Sequence, residues 1–258
     1  MKWDSKQYLR YANERTQPAV DLAQGILLEN PSSALDVGCG PGNSAAILKA
    51  RFPGAKVIGI DNSEDMLTKA RTQYGDDIEF RYCDITNGLS EFTGKFDVVF
   101  SNACLQWVPD HKRILPALYD LLNPGGVLAV QIPKNWDSPL YKAMDAVVAE
   151  PGWNFKTADV AYNGSLSQEE YFDIISALSD DFSMWETIYY HRMNSHAALV
   201  DWIKGTKLRP YLNLLDAERQ KELEDEIVAR LVPLYPAQEN GEIIYRFRRL
   251  FFMATKFD

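Results

Sequence analysis

The sequence predicts an α/β fold built on a mostly parallel, doubly wound sheet, and three observations predict it. Short apolar, β-branched runs alternate with amphipathic helical stretches from residue 32 to about 132, the pattern of strands covered on both faces. The first run reaches Asp36 and opens into the glycine-rich turn Gly38-Cys39-Gly40-Pro41-Gly42 before a helical stretch. Polar or acidic residues stand at the carboxyl ends of the runs, where an open parallel sheet binds its ligands.

Residues 34–37 are the first expected strand, and 44–51 the helix after the turn. Residues 56–60 carry Val57, Ile58 and Ile60 and form the second strand, followed by a helix over 63–74. Strands three and four fall at 78–82 and 96–101, with a helix at about 114–122. Asn123-Pro124-Gly125-Gly126 is a turn signal, which puts the fifth strand at 127–131. After Asn135 the regularity lapses, and Pro151, Gly152, Asn163 and Gly164 mark an irregular excursion over 151–168. Residues 182–191 read as a long sixth strand and 243–255 contain a seventh; 197–204 and 216–232 between them are helical. The expected layout is one domain. A helical segment (1–31) lies over the site, 32–135 form the ligand-binding core, 136–240 hold the sixth strand and a mainly helical cap, and 241–258 complete the sheet.

Composition narrows the function. The chain has 258 residues, 46% of them hydrophobic, enough for one substantial core. A net charge of −9 argues against a nucleic-acid partner, which needs a basic surface. The one basic-aromatic cluster, Arg246-Phe247-Arg248-Arg249, reads as a solvated strand face. No run approaches about 18 apolar residues, so no membrane span is expected. The N-terminal residues lack the apolar stretch of a signal peptide. Cys39, Cys83 and Cys104 are an odd count without C-x-x-C spacing, so neither disulfides nor a zinc site is expected, and the cytoplasm is the expected compartment. The histidines 111, 191 and 196 show no metal-ligand spacing; His111 reads as a turn or helix-start residue.

The glycines at 38, 40 and 42 follow Asp36 as D-x-G-x-G-x-G. A dinucleotide turn would read G-x-G-x-x-G, with a glycine where Asn43 stands, to present N–H groups to a pyrophosphate. S-adenosylmethionine has no phosphate and needs an acid near its amino group, and Asp36 is placed to be that acid. Asp61, 21 residues after Gly40, ends the second strand, where a carboxylate accepts two ribose hydroxyls. Asp84 and Ile85 after strand three suit an adenine, the acid for its exocyclic amine and the aliphatic chain for its ring; Met66 is placed for the other ring face. Asn102 follows strand four beside the turn where the sulfonium should lie. Taken singly, each acid is more often a helix cap or turn residue and Met66 more often a core residue. Their succession along consecutive strand ends carries the reading.

These motifs, Leu35-Asp36-Val37-Gly38-Cys39-Gly40-Pro41-Gly42, Gly59-Ile60-Asp61 and Cys83-Asp84-Ile85, resemble the core of the class I S-adenosylmethionine-dependent methyltransferases. The resemblance implies a Rossmann-like seven-stranded sheet with its last strand antiparallel. It also implies a cofactor-binding set of Asp36, Gly38, Gly40, Asn43, Asp61, Asn62, Met66, Asp84, Ile85, Asn102 and Gln106. Outside the core, Glu14-Arg15-x-x-Pro18-Ala19, the run from Asn102 to His111, Gly126 to Gln131, Leu208-Arg209-Pro210 and Arg249-Leu250-Phe251 are similar to the trans-aconitate 2-methyltransferase family. Lys134 and Lys207 depart from that family's pattern, which has Asp and Gly there.

That resemblance implies methyl-ester formation on a small polycarboxylate. The nucleophile, a carboxylate, is already ionised at neutral pH, so neither a general base nor a metal is required. What is required is in-line approach, exclusion of water and cations on the carboxylates that do not react. An arginine fork suits the last task. Arg15 and Arg209 are the candidates, with Arg15 equally placed to contact the donor. Trp107, Gln131, Trp136, Tyr190 and His191 complete the expected acceptor-binding set, with Trp107 and Arg209 as positioning residues. The alternatives are a methyltransferase for another small-molecule acid, hydroxyl or amine, and a non-catalytic S-adenosylmethionine-binding regulatory protein. A monomer or weak dimer is expected.

Overall fold

The structure is a computed structural model that describes residues 12–92, 95–155 and 164–257; the side chains of residues 12–15 and 91 are outside the description. Its elements are α1 (Ala12–Gly25), β1 (Ser33–Val37), α2 (Asn43–Arg51), β2 (Lys56–Asp61), α3 (Glu64–Tyr74), β3 (Glu79–Tyr82), β4 (Phe96–Asn102), α4 (His111–Asp120), β5 (Leu122–Pro133), α5 (Pro139–Val148), α6 (Gln168–Leu178), β6 (Phe182–Met193), α7 (His196–Lys204), α8 (Arg209–Leu212), α9 (Ala217–Leu231) and β7 (Ile243–Thr255). The seven strands follow the order β3-β2-β1-β4-β5-β7-β6. Strands β1 to β5 pair in parallel, and β7 runs antiparallel to β5, as the sequence predicts.

The chain divides into two compact units. The sheet unit comprises Asn13–Pro133, Asn163–Thr187 and Arg249–Asp258. Its core takes Leu35 and Val37 from β1, Ile58 and Ile60 from β2, Val99 from β4 and Leu128 and Val130 from β5. Ile114, Leu115 and Leu118 of α4 and Tyr171 and Ile175 of α6 pack on them. Strands this apolar need cover on both faces, and the helices supply it. The described residues of the helical unit are 12, 134–155 and 188–248. Its own core joins Leu140, Met144 and Val147 of α5, Leu199 and Ile203 of α7 and Leu223, Ile227 and Leu231 of α9.

Four details differ from the sequence expectation. The turn signal 123–126 lies inside β5. Leu122 pairs with Phe96 and Val127 with Val98, so β5 advances five residues where β4 advances two. The excess is looped out at Gly125, whose φ is +76°. Helix α4 starts at His111, because Asp110 turns the chain with φ +57°. Strand β6 continues past 191 to Met193. Two helices that the sequence reading did not assign flank the stretch taken as irregular, whose described residues 151–155 and 164–167 are turn and coil. In α5, Ser138 caps the Tyr141 N–H ahead of Pro139; in α6, Ser167 and Glu170 close a reciprocal capping box. Residues 156–163 of the expected excursion lie outside the described residues.

Candidate active site

The glycine turn is built by packing. The Gly38 and Cys39 N–H groups both donate to the Ile60 carbonyl, at 2.8 and 3.0 Å, which ties the turn to the end of β2. Gly38 has φ +71°, and a Cβ there would lie 2.1 Å from the Cys104 Sγ. Gly40 has φ +53°, and no atom lies within 4 Å of where its Cβ would stand. Gly38 is thus demanded by the fold, whereas Gly40 faces open space. The Gly40 N–H donates to Asp61 Oδ2 at 2.9 Å, and Asp61 Oδ1 accepts from the Ser63 N–H at 2.9 Å. Burial raises the Asp61 pKa against these hydrogen bonds.

Asp36 is fully buried in β1. Its Oδ2 accepts from the Ser44 hydroxyl at 2.6 Å, while Oδ1 has no partner among the described residues. Burial pushes its pKa up to about 7, with the Ser44 hydrogen bond opposing and the Asp61 charge adding. At the end of the neighbouring strand β4, Asn102 Oδ1 is likewise buried without a partner. Gln106 donates Nε2 to the Ala103 carbonyl at 2.7 Å, and its buried Oε1 has no donor among the described residues. Ala103 itself is held at φ +53°, a costly conformation for a non-glycine residue. Among the described residues, three buried oxygens without donors therefore stand near the ends of β1 and β4, two on the strands and one in the turn that follows β4. That set fits an ammonium, the group expected at this end of the methyl donor.

The other expected donor contacts are placed less uniformly. Met66 and Ile85 are buried, 7% exposed each. Asp84 Oδ1 accepts from both the N–H and the hydroxyl of Thr86, at 2.9 and 2.7 Å, which lowers its pKa. That oxygen therefore closes a local turn. The Asn43 side chain accepts from the Tyr74 hydroxyl at 3.2 Å, and Asn62 is exposed. Trp107 is half-buried in the short turn Leu105–Trp107. Gln131 is fully buried on β5, beside Asn102 in register. His111 is structural: Nε2 faces the Leu105 carbonyl and Nδ1 the Tyr171 hydroxyl, both at 2.7 Å.

The remaining acceptor candidates belong to the helical unit, except Arg15, whose side chain lies outside the described residues. Arg209 opens α8 half-buried, with no side-chain hydrogen bond or ion pair among the described residues. Lys207 is held by Asp145 at 2.6 Å, with its Nζ 4.9 Å from the Tyr141 ring and 5.9 Å from that of Trp136. Lys134 is buried. Tyr190 is 62% exposed beneath the Arg246 guanidinium. His191 is not a strand-end residue. It stacks on Trp202 at 4.8 Å, with Tyr245 and Phe247 also against it, inside the aromatic core of this unit.

Two further residues were not among the expected site residues. Ser44 holds Asp36, and its only local signal is a hydroxyl at the start of α2. Arg249, read as part of a solvated face, is 3% exposed and donates Nη1 to Gln131 Oε1 at 3.1 Å. Its neighbour Arg248 is also engaged, donating Nε to the Lys134 carbonyl and pairing with Asp137. Among the described residues, no group of three or more His, Cys, Asp or Glu is arranged to hold a metal ion.

A parallel sheet with a glycine turn and buried acceptor oxygens at its carboxyl edge defines a methyltransferase-type site. A family profile described as "Methyltransferase domain" matches residues 34–126. The chain is 40% identical over 258 residues to the trans-aconitate 2-methyltransferase of Methylobacterium radiotolerans, with 98% of each chain covered. It is 41% identical over 254 residues to that of Escherichia coli O157:H7, again with 98% of each covered. Among solved structures, the YcgJ protein of Bacillus subtilis is similar with a TM-score of 0.61 at 13% identity, covering 94% of this chain and 99% of that one. The chain belongs to the trans-aconitate 2-methyltransferase family.

Proposed function

We propose that the protein is an S-adenosylmethionine-dependent carboxyl methyltransferase whose acceptor is trans-aconitate. The observation that carries the donor half is the set of buried oxygens on Asp36, Asn102 and Gln106 that have no donors among the described residues. Family membership supports the acceptor. S-adenosylmethionine supplies an electrophilic methyl group on a sulfonium. The chain's part is to bind, orient and exclude water. Asp36 meets the donor's ammonium, held in place by Ser44. Asp61, tied to the Gly40 and Ser63 N–H groups, keeps the turn closed and retains lone pairs for the ribose hydroxyls. Ile85 and Met66 offer apolar surface to the adenine. No side chain has to remove a proton, because the attacking carboxylate is ionised at neutral pH. Arg209 is the acceptor's cation: its guanidinium has no partner to give up among the described residues. Trp107 positions the acceptor, and no metal takes part.

The same proposal covers the setting. The partner is a small carboxylate and not a nucleic acid, in keeping with the −9 net charge. Among the described residues no helix is long and apolar enough to cross a membrane. We place the enzyme in the cytoplasm as a monomer or weak dimer. The test is methyl transfer from labelled donor to a panel of organic acids, with mass spectrometry of the esters. Trans-aconitate monomethyl ester as the dominant product is expected. Preferred turnover of a hydroxyl or amine acceptor would replace this reading with another methyltransferase specificity.

A further inference from the structure

The methyl donor ends in an α-amino acid, a cation and an anion on one carbon. The cation has its oxygens: among the described residues Asp36 Oδ1, Asn102 Oδ1 and Gln106 Oε1 are buried without donors. The anion needs donors of its own, and the glycine turn has none to give. The Gly38 and Cys39 N–H groups go to the Ile60 carbonyl, that of Gly40 to Asp61 and that of Gly42 to the Cys39 carbonyl, while Pro41 carries none. Among the described residues of β1, β4 and β5, one buried side-chain nitrogen lacks an acceptor, Gln131 Nε2. We propose that Gln131, expected on the acceptor side, belongs to the donor site, where its Nε2 holds the α-carboxylate of S-adenosylmethionine. This inference rests on the donor half of the proposed function.

Register places that nitrogen beside the oxygens. Asp36 pairs with Phe100, and Asn102 with Gln131. Paired residues of neighbouring strands share a face, as do residues two apart on one strand, so Asp36, Asn102 and Gln131 lie on one face of β1, β4 and β5. Arg249 fixes the amide orientation. Its Nη1 stands 3.1 Å from Gln131 Oε1, and arginine only donates, so Nε2 is the end left for a ligand. Neighbouring strands run about 4.8 Å apart. Asn102 Oδ1 and Gln131 Nε2 are thus carried on adjacent residues, opposite in sign, and do not bond each other. Gln131 is fully buried, and an unmet amide donor there costs stability that an anionic acceptor offsets. An ammonium and a carboxylate on one carbon meet both atoms at once. A carboxylate of the methyl acceptor is the competing occupant. It brings no cation for Asn102, whereas the donor's carboxylate arrives with the ammonium.

Calorimetry with two ligands tests this. One is S-adenosylhomocysteine. The other is its decarboxylated analogue, in which an aminopropyl group replaces the amino-acid end and keeps the ammonium alone. The wild type should bind S-adenosylhomocysteine at least about tenfold more tightly than the analogue. Gln131→Glu keeps an oxygen for Arg249 and puts negative charge where the proposal puts the carboxylate. It should lower that preference by about 30-fold or more, by weakening S-adenosylhomocysteine while the analogue binds as well as before or better. Gln131→Met removes the donor without adding charge and should lower the preference by about tenfold. It decides the matter should the glutamate variant not fold. A preference unmoved in both variants, or an equal loss for both ligands, overturns the assignment. So does a raised KM for trans-aconitate with both affinities unchanged, which returns Gln131 to the acceptor side. A wild type that binds neither ligand overturns the donor half of the proposed function and this assignment with it. A wild type that binds the two equally overturns the assignment alone.

Discussion

Gly38 and Gly40 sit two residues apart in one turn, both at positive φ, yet their replacement by alanine should fail in different ways. Alanine at φ near +50 to +70° costs about 1–2 kcal/mol in either place. At Gly40 that is the whole structural cost, since nothing lies within 4 Å of the new Cβ. At Gly38 the Cβ would stand 2.1 Å from Cys104 Sγ and 2.4 Å from its Cβ, so overpacking adds about 1–3 kcal/mol. Urea unfolding should therefore show Gly40→Ala destabilised by about 1–2 kcal/mol and Gly38→Ala by about 2–5 kcal/mol. Donor affinity should run the other way relative to stability. Gly40→Ala should lose at least about tenfold in S-adenosylhomocysteine binding by calorimetry while still folded, because the space its methyl fills is where the ligand approaches. Adding Cys104→Gly removes both offending atoms, so the double variant should recover the overpacking part of the Gly38→Ala loss and leave the φ strain. Strict additivity of Gly38→Ala and Cys104→Gly would refute the packing argument. Unchanged S-adenosylhomocysteine affinity in Gly40→Ala would refute the ligand argument.

Three other outcomes follow from the same geometry. Asp36 keeps its proton in the folded protein up to about 7, well above the ordinary carboxylate value of 3.8, so its contribution to stability falls as pH rises from about 4 to 7, by up to about 1.4 kcal/mol per unit. An ammonium ligand prefers the ionised form; S-adenosylhomocysteine affinity should thus fall about tenfold per unit below pH ~7, with proton release on binding at pH 6, and calorimetry of Asp36→Asn should show neither. Asp61→Ala removes the acceptors of the Gly40 and Ser63 N–H groups and should weaken S-adenosylhomocysteine binding by about 1–3 kcal/mol; equal affinity in a folded variant would reduce Asp61 to a turn residue. Arg209→Ala should cut kcat/KM for trans-aconitate by about ten- to a hundredfold at constant donor affinity, with Arg209→Lys restoring part of it; steady-state kinetics with full activity in the alanine variant would send the acceptor's cation elsewhere.

The sheet was legible because its signals are local. Runs such as Val57-Ile58-Gly59-Ile60 can satisfy themselves only as covered strands, and Ser63 announces α3 by capping the Met66 N–H. The errors came where two local signals compete. Asn123-Pro124-Gly125-Gly126 is turn chemistry, but pairing on both flanks keeps it inside β5. Ser138-Pro139 and Ser167-x-x-Glu170 were helix starts in plain sight, overshadowed by the loop-forming residues around 151 to 164.

The site divides along the same line, and the division explains which residues escaped notice. Asp36, Asp61 and the glycines lie within or immediately after strands whose order the sequence reveals, so their meeting follows from topology alone. The Arg249–Gln131 contact joins residues 118 apart and exists only because the last strand folds back antiparallel on β5. In sequence Arg249 is one of three arginines in a strand that alternates, and nothing local separates it from Arg246, which is exposed. What separates them is burial, a property of the finished sheet.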